Sequence, residues 1–87
     1  MYKINFTEYA KKQLSKIDRS KRVKIYDKLN DTLENPYNYF KPLKYNLFTY
    51  WKLRVADYRI IAQIQNQELI IEVVDVGHRR EIYKKYS

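Results

Sequence analysis

A two-residue alternation of apolar and polar side chains in the second half of the chain constrains the fold more than any other feature. It begins at residue 49 and, after a tight connection at residues 56 and 57, continues through residues 58–64. Because successive side chains of a strand point to opposite faces of a sheet, each run predicts a strand. After a turn at 65–67, residues 69–76 are apolar at most positions, which is typical of a central strand. The pattern predicts an antiparallel meander but leaves the inward face of the last strand unassigned.

The first half of the chain follows a helical pattern after a short strand. Residues 1–6 alternate as a strand, and Thr7 offers an N-cap hydroxyl to the helix that follows. Apolar residues spaced by three and four predict two amphipathic helices in a hairpin over roughly 8–34, the second capped by Asp18. Pro36 disfavours helical geometry in the residue before it and therefore ends the second helix.

The fold class follows from the order of these elements. Residues 35–48 contain both prolines and several aromatic residues and predict a structured loop, with a short strand near 43–45. The order is then an N-terminal strand, a helical hairpin, an antiparallel β-meander and a short C-terminal helical tail. Helices segregated on one face of such a sheet define the α+β class. The length predicts one domain, residues 1–87.

Composition excludes several classes of function. The chain has no cysteine, which excludes disulfides, thiolate metal sites and cysteine nucleophiles. One histidine and scattered carboxylates give no metal-ligand spacing, so we expect neither a metal nor another cofactor. The N-terminus has no signal-peptide core, and no window contains the ~20 apolar residues that a membrane span needs. We therefore expect a cytoplasmic protein without membrane contact.

Positive charge is unevenly distributed along the chain. Eighteen basic and ten acidic residues give a net charge of +8, yet residues 60–76 contain no basic residue at all. Cations thus flank an uncharged to acidic central strand. Such a surface attracts nucleic acid or an acidic protein, although a solvated basic face without a ligand explains the composition equally well.

The first group of candidate functional residues lies on the meander. If the helical hairpin covers the face that bears Trp51 and Leu53, then Lys52, Arg54 and Arg59 share the opposite face. Like charges opposite each other destabilise a sheet, so an anionic ligand would explain a cluster of three. Each cation taken alone is more typical of an ordinary exposed strand residue.

The second group begins at Gly77, which is predicted to end the central strand. His78 is the only histidine, and histidine is the side chain whose ordinary pKa, about 6.5, permits proton exchange near neutrality. Arg79 and Arg80 could hold a phosphate between them, and Tyr83 could stack on an unpaired RNA base. A lone histidine and a lone tyrosine are each more often structural, so both interpretations stay open.

These two groups resemble the paired signature of a known family. The run KLRVADYRII at 52–61, followed by VGHRREIY at 76–83, is similar to the core of the RelE/ParE toxin superfamily, in its RelE branch. The resemblance extends over the whole chain, including the order of elements and the loop at 43–45. Both halves of the signature occur at the expected separation, and the pair is more specific than either half alone.

The resemblance implies a toxin of a type II toxin-antitoxin system that cleaves messenger RNA in the ribosomal A site. The RNA 2′-hydroxyl would be the nucleophile and no metal would take part. Tyr83 matches the base-stacking tyrosine of the family. The positions that match the family's functional positions are Lys52, Arg54, Arg59, His78, Arg79 and Tyr83.

The resemblance leaves the proton-transfer roles open. Some members have a lysine where His78 stands and others use a C-terminal histidine, so the general base is His78 or Lys52. The acid is Arg54 or Arg79, although arginine, with a pKa above ~12, stabilises charge more readily than it transfers a proton. Arg59 and Arg79 are the expected stabilisers of the charged phosphate.

The same resemblance implies partners and a second function. The partners are an acidic antitoxin protein, the ribosome and the messenger RNA in its A site. The ParE branch shares the fold and poisons DNA gyrase without this full set of cations and tyrosine, so gyrase inhibition is the alternative function. A basic binding module without chemistry is the third hypothesis.

Overall fold

The computed structural model describes residues 1–45 and 48–87, which form five strands and three α-helices. The strands are β1 (Lys3–Phe6), β2 (Lys41–Tyr45), β3 (Phe48–Val55), β4 (Tyr58–Gln65) and β5 (Ile70–His78). The helices are α1 (Glu8–Ser15), α2 (Arg19–Asp31) and α3 (Arg79–Lys85), with a 3-10 helix at Pro36–Asn38. None of these helices has the length and apolarity to cross a membrane. The predicted α+β order of strand, helical hairpin, meander and C-terminal helix is confirmed.

The last strand, β5, lies inside the sheet, whose order is β1-β5-β4-β3-β2. The pairs β2–β3, β3–β4 and β4–β5 are antiparallel, which confirms the meander. In contrast, β1 runs parallel to β5, with Lys3 opposite Ile70. The first and last strands in the chain are therefore neighbours in the sheet.

The helical hairpin forms close to where the sequence predicts it. Thr7 Oγ1 accepts a hydrogen bond from the backbone N–H of Ala10 at 3.1 Å and caps α1 as expected. Asp18 precedes α2 but makes no side-chain cap, because its carboxylate accepts the Ser20 hydroxyl instead. Helix α2 ends at Asp31, earlier than predicted.

The core lies between this hairpin and one face of the sheet. Helix residues Leu14, Ile25 and Leu29 are buried against strand residues that include Leu53 and Ile60. Each such side chain contributes about 1.5–3 kcal/mol when it leaves water. The hairpin covers the face that bears Trp51 and Leu53, which is the condition under which Lys52, Arg54 and Arg59 share the opposite face.

An extra residue in β5 decides which of its side chains face the core. Ala62 pairs with Val73, but the residue before it in β4 pairs with Asp75, so Val74 is an inserted residue, a β-bulge. Both Val73 and Val76 therefore belong to the core, whereas Asp75 faces away from it. Strict alternation could not show this, because the bulge interrupts it.

The segment predicted as a loop, 35–48, contains more regular structure than expected. Its first part forms the 3-10 helix, and the short strand predicted near 43–45 is confirmed as β2, which begins at Lys41. Asn46 and Leu47, also in the predicted loop, lie outside the described residues.

Candidate active site

Strands β2, β3 and β4 carry four cations on the face of the sheet opposite the hairpin. Arg54 of β3 is directly opposite Arg59 of β4, and Lys52, two residues before Arg54, is opposite Lys41 of β2. Paired residues have their side chains on the same face, about 5 Å apart. We call Lys41, Lys52, Arg54 and Arg59 the cationic face.

No carboxylate in the described part of the chain neutralises these four side chains. The ion pairs within residues 1–45 and 48–87 are Lys11–Glu8 and Lys85–Asp75, and neither includes a member of the cationic face. Like charges that face each other across strands are destabilising. The cationic face is therefore suited to an anion from outside the chain.

Gly77 lies within β5, not at its end as predicted, and it allows α3 to pack closely on the sheet. The strand continues to His78, and α3 begins at the next residue. A Cβ atom at position 77 would lie 3.3 Å from the side chain of Ile82, which is buried. Tyr83, the next residue of α3, is 66% exposed beside this contact.

Three adjoining depressions meet at Arg59. The first is lined by Lys52, Ile61, Ile82 and Tyr83, among others. The second is lined by Arg79, Arg80, Tyr83 and Lys84. The third is lined by Lys41, Lys52 and Arg54, together with residues of α2 and the 3-10 helix. Because Arg59 lines all three, the structure brings four other predicted site residues around its side chain: Lys52, Arg54, Arg79 and Tyr83.

The structure does not bring His78 together with them. It pairs in register with Tyr58, which packs against the core on the hairpin side, and their ring centroids are 6.0 Å apart. With Gln13 and Lys16 it lines a separate depression. Its Nδ1 accepts a hydrogen bond from the backbone N–H of Arg80 at 3.3 Å, which makes it the N-cap of α3. His78 directly precedes Arg79 in the chain, but its side chain is not among those gathered around Arg59.

A buried carboxylate holds the far end of α3. Asp75 is 1% exposed, and its Oδ2 accepts hydrogen bonds from Lys85 Nζ and from the Tyr86 hydroxyl, each at 2.9 Å. The Tyr86 ring also contacts the ring of Tyr45, with centroids 5.2 Å apart. Asp75 thus fixes the helix that carries Arg79 and Tyr83.

These contacts shift two pKa values in the same direction. Burial raises the pKa of Tyr86 above its usual 10.0, and the hydrogen bond to Asp75 raises it further. For Lys85, burial acts to lower the pKa, but hydrogen bonds to Tyr9 and Asp75 outweigh it, and the net shift is upward from 10.5. Both groups are therefore held in their protonated forms.

Two of these residues were missed by sequence reasoning. Lys41 lay in a segment interpreted as a loop, although its spacing from Leu43 and Tyr45 already allowed a strand. Asp75 was visible as the one charged residue between Val73 and Val76 in a largely apolar run. Charged residues are rarely buried unless they are paired, so its position was a signal for a partner.

Comparison with known proteins assigns this arrangement to a family. Residues 4–83 match the ParE toxins of type II toxin-antitoxin systems. A protein of Escherichia coli described as a RelE-like toxin is 33% identical over 79 residues, which cover 90% of this chain and 83% of that relative.

Solved structures have the same fold. The RelBE2 toxin-antitoxin complex of Mycobacterium tuberculosis contains a chain with a TM-score of 0.82 and 24% identity, covering 90% of this chain and 98% of that one. The isolated RelE toxin of Escherichia coli has a TM-score of 0.75 and 25% identity, covering 98% and 94% of the two chains. Together with the sequence matches, these likenesses show that the chain belongs to the ParE toxin family of type II toxin-antitoxin systems and, within the RelE/ParE superfamily, is of the RelE type.

Proposed function

We propose that this toxin is an endoribonuclease that cleaves messenger RNA in the ribosomal A site through the RNA 2′-hydroxyl, without a metal. The observation that carries the proposal is the depression that Lys52, Arg59 and Tyr83 share, where neither basic residue forms an ion pair with a described carboxylate. The Arg59 guanidinium suits a phosphate, the Lys52 amine beside it can accept a proton, and an exposed tyrosine suits an unstacked base. That pairing of chemical groups fits a single-stranded RNA nucleotide.

Arg59 and Arg79 stabilise the charge that develops on the phosphate. When the 2′-oxygen attacks phosphorus, negative charge builds on the non-bridging oxygens, and preorganised donors lower the barrier. Arg59 lies at the meeting point of the three depressions, and Arg79 lines one of them with it. Removal of one such donor typically costs about 10²–10³ in rate.

Lys52 is the general base in this proposal. It lines the same depression as Arg59 and Tyr83, whereas His78 lines another on the hairpin side. Lys52 Nζ takes the 2′-hydroxyl proton, the new bond to phosphorus forms, and the bond to the 5′-oxygen breaks. Arg79, which shares a depression with Tyr83, is better placed than Arg54 to neutralise the leaving oxygen. The leaving 5′-oxygen takes a proton from water, and the products are a 2′,3′-cyclic phosphate and a 5′-hydroxyl.

Cleavage of message on purified translating ribosomes tests this proposal. Wild-type toxin should cut in the A site and leave 5′-hydroxyl ends and 2′,3′-cyclic phosphates, the products of attack by the 2′-hydroxyl. Arg59→Ala should lose about 100-fold or more in rate. Arg19→Ala, which removes the same charge from the exposed start of α2, is the matched control and should cut nearly as fast as wild type. Equal losses in both variants would show that net charge, and not a phosphate site at Arg59, sets the rate.

Inhibition of DNA gyrase is the alternative, and the match of residues 4–83 to the ParE toxins favours it. The two functions separate in one pair of assays. A gyrase inhibitor should block DNA supercoiling by purified gyrase and leave ribosome-bound message intact. The proposed ribonuclease should do the opposite.

An antitoxin is the expected regulator, since the RelBE2 chain and the intact RelBE chain of Escherichia coli were solved as toxin-antitoxin complexes. We propose that the antitoxin of this toxin is acidic, because the chain carries a net charge of +8. Electrostatic steering would make its association faster at low salt. Toxin expressed from its native operon should co-purify with a small acidic protein, and recovery of a basic one would contradict the charge argument.

A further inference from the structure

We infer a second nucleotide-binding subsite, in the depression that extends from Arg59 towards the 3-10 helix. It rests on the proposed RNA substrate. In this subsite Tyr39 stacks on the base next to the cleaved bond, and Lys28 and Lys41 attract the accompanying phosphate. The toxin would thus recognise two adjacent bases, one on Tyr83 and one on Tyr39.

The depression has the size and position that a nucleotide requires. Its volume is about 510 Å³, within the range of small-molecule sites. Lys52 and Arg59 line both this depression and the one that contains Tyr83, so the two are continuous. An RNA strand with its cleaved phosphate at Arg59 can therefore extend in either direction without leaving the protein surface.

Tyr39 is prepared for stacking by its neighbour on α2. Lys28 Nζ lies 5.3 Å from the centroid of the Tyr39 ring, a cation–π contact that engages one side of the ring. Tyr39 is nevertheless 39% exposed and borders the depression. A ring already held in place loses little conformational freedom when a base stacks on it. The amide of Asn38, which also lines the depression, can both donate to and accept from the edge of that base.

The charges around the depression support a polyanion as its occupant. The described residues that line it include five cations and no carboxylate: Lys28, Lys41, Lys52, Arg54 and Arg59. They come from α2 and from strands β2, β3 and β4, so distant parts of the chain converge on one concave surface. A basic groove beside an aromatic platform is the combination that proteins use to bind single-stranded nucleic acid.

Removal of single bases from the message tests the subsite. The substrates are a complete message on the ribosome and two messages with an abasic ribose, one immediately 5′ and one immediately 3′ of the cleaved bond. Wild-type toxin should cut both abasic messages more slowly, by about tenfold for each lost stacking contact. Tyr39→Leu should cut the complete message about tenfold more slowly than wild type does. On one of the two abasic messages, the variant should show no further loss of rate, because the stacking contact with that base is already absent.

Two further variants serve as controls. Tyr39→Phe keeps the ring and should, like wild type, be slowed by removal of the base on either side of the cleaved bond. Tyr26→Leu removes a tyrosine of similar exposure, 43%, from the hairpin and should also cut like wild type. If Tyr39→Leu keeps the full rate, or loses the same factor on all three messages, the subsite is wrong while the ribonuclease proposal stands. If wild-type toxin cuts no message, both proposals fall together.

Discussion

The two faces of the sheet carry very different residues, although these residues are neighbours along the same strands. On the hairpin side, Leu53 and Ile60 are 2% and 0% exposed and pack in the apolar core. On the other side, the adjacent residues Arg54 and Arg59 face each other without a carboxylate partner among the described residues. Two helices cover the first face, whereas the second is covered in part by the seven residues of α3.

This difference shows how so small a protein can carry unpaired cations. An exposed pair of charges changes stability by at most about 1 kcal/mol, whereas burial of a single isoleucine contributes about 1.5–3 kcal/mol. The hairpin face therefore supplies enough stability for the other face to hold like charges in register. Stability and function are separated by the alternation of a strand.

Adjacent substitutions in β4 give the sharpest test of this separation. Ile60→Ala should lower the free energy of unfolding by about 2–5 kcal/mol, because it opens a cavity in the core. Arg59→Ala should change it by no more than about 0.5 kcal/mol, yet abolish most of the cleavage. Urea denaturation measures the first effect and cleavage of ribosome-bound message the second. A destabilised Arg59→Ala protein would mean that the two faces are not independent.

Asp75 is a charged residue that lies on the α3 side of the sheet and is nonetheless buried. Asp75→Ala should lower the free energy of unfolding by about 1–3 kcal/mol, since Lys85 and Tyr86 both lose their partner. Cleavage should also fall, because α3 carries Arg79 and Tyr83. Glu72→Ala, in the same strand, is the control and should change stability by less than about 0.5 kcal/mol in urea denaturation. Equal effects would show that Asp75 does not hold the helix.

The raised pKa values at the end of α3 predict a loss of stability in alkali. A group whose pKa is higher in the folded protein than in the unfolded chain stabilises the fold below its ordinary pKa and loses that contribution as pH rises. For Tyr86 and Lys85 the ordinary values are 10.0 and 10.5, so the urea midpoint should fall from about pH 10 upward. The double variant Tyr86→Phe, Lys85→Met should show a shallower fall. An equally steep fall in that variant would assign the pH dependence to other groups.

The smallest effects are expected at His78. His78→Gln removes the Nδ1 cap of α3 and should cost no more than about 1 kcal/mol in urea denaturation. Its cleavage rate should stay close to that of wild type, because the side chain lies on the hairpin side. Lys52→Met is the comparison and should lose about 100-fold or more in rate, as expected for a general base. A comparable loss of cleavage rate in His78→Gln would indicate that His78 is the general base.

Much of the fold and part of the site were accessible from local patterns. Alternation alone placed Lys52, Arg54 and Arg59 on one face and Leu53 on the other, because neighbours in a strand must point to opposite sides. The hydroxyl of Thr7 and the apolar spacing of three and four likewise defined α1, since these signals act within a few residues. Local sequence therefore determined the elements and the cationic character of one face.

Pairing between distant segments was decided only in the tertiary structure. The parallel partnership of β1 with β5, and the entry of Lys41 into the cationic face, depend on contacts between parts of the chain far apart in sequence. No short-range pattern encodes such pairing, because it is selected by how the whole core packs.

The bulge at Val74 had the largest consequence for the site. With strict alternation from Val73, Asp75 would point into the core and His78 would lie on the cationic face. One inserted residue reverses both, so that Asp75 holds α3 and His78 caps it from the hairpin side. The sequence by itself determined which residue types were available, and the register of β5 decided which of them meet, because a shift of one residue exchanges the two faces of a strand.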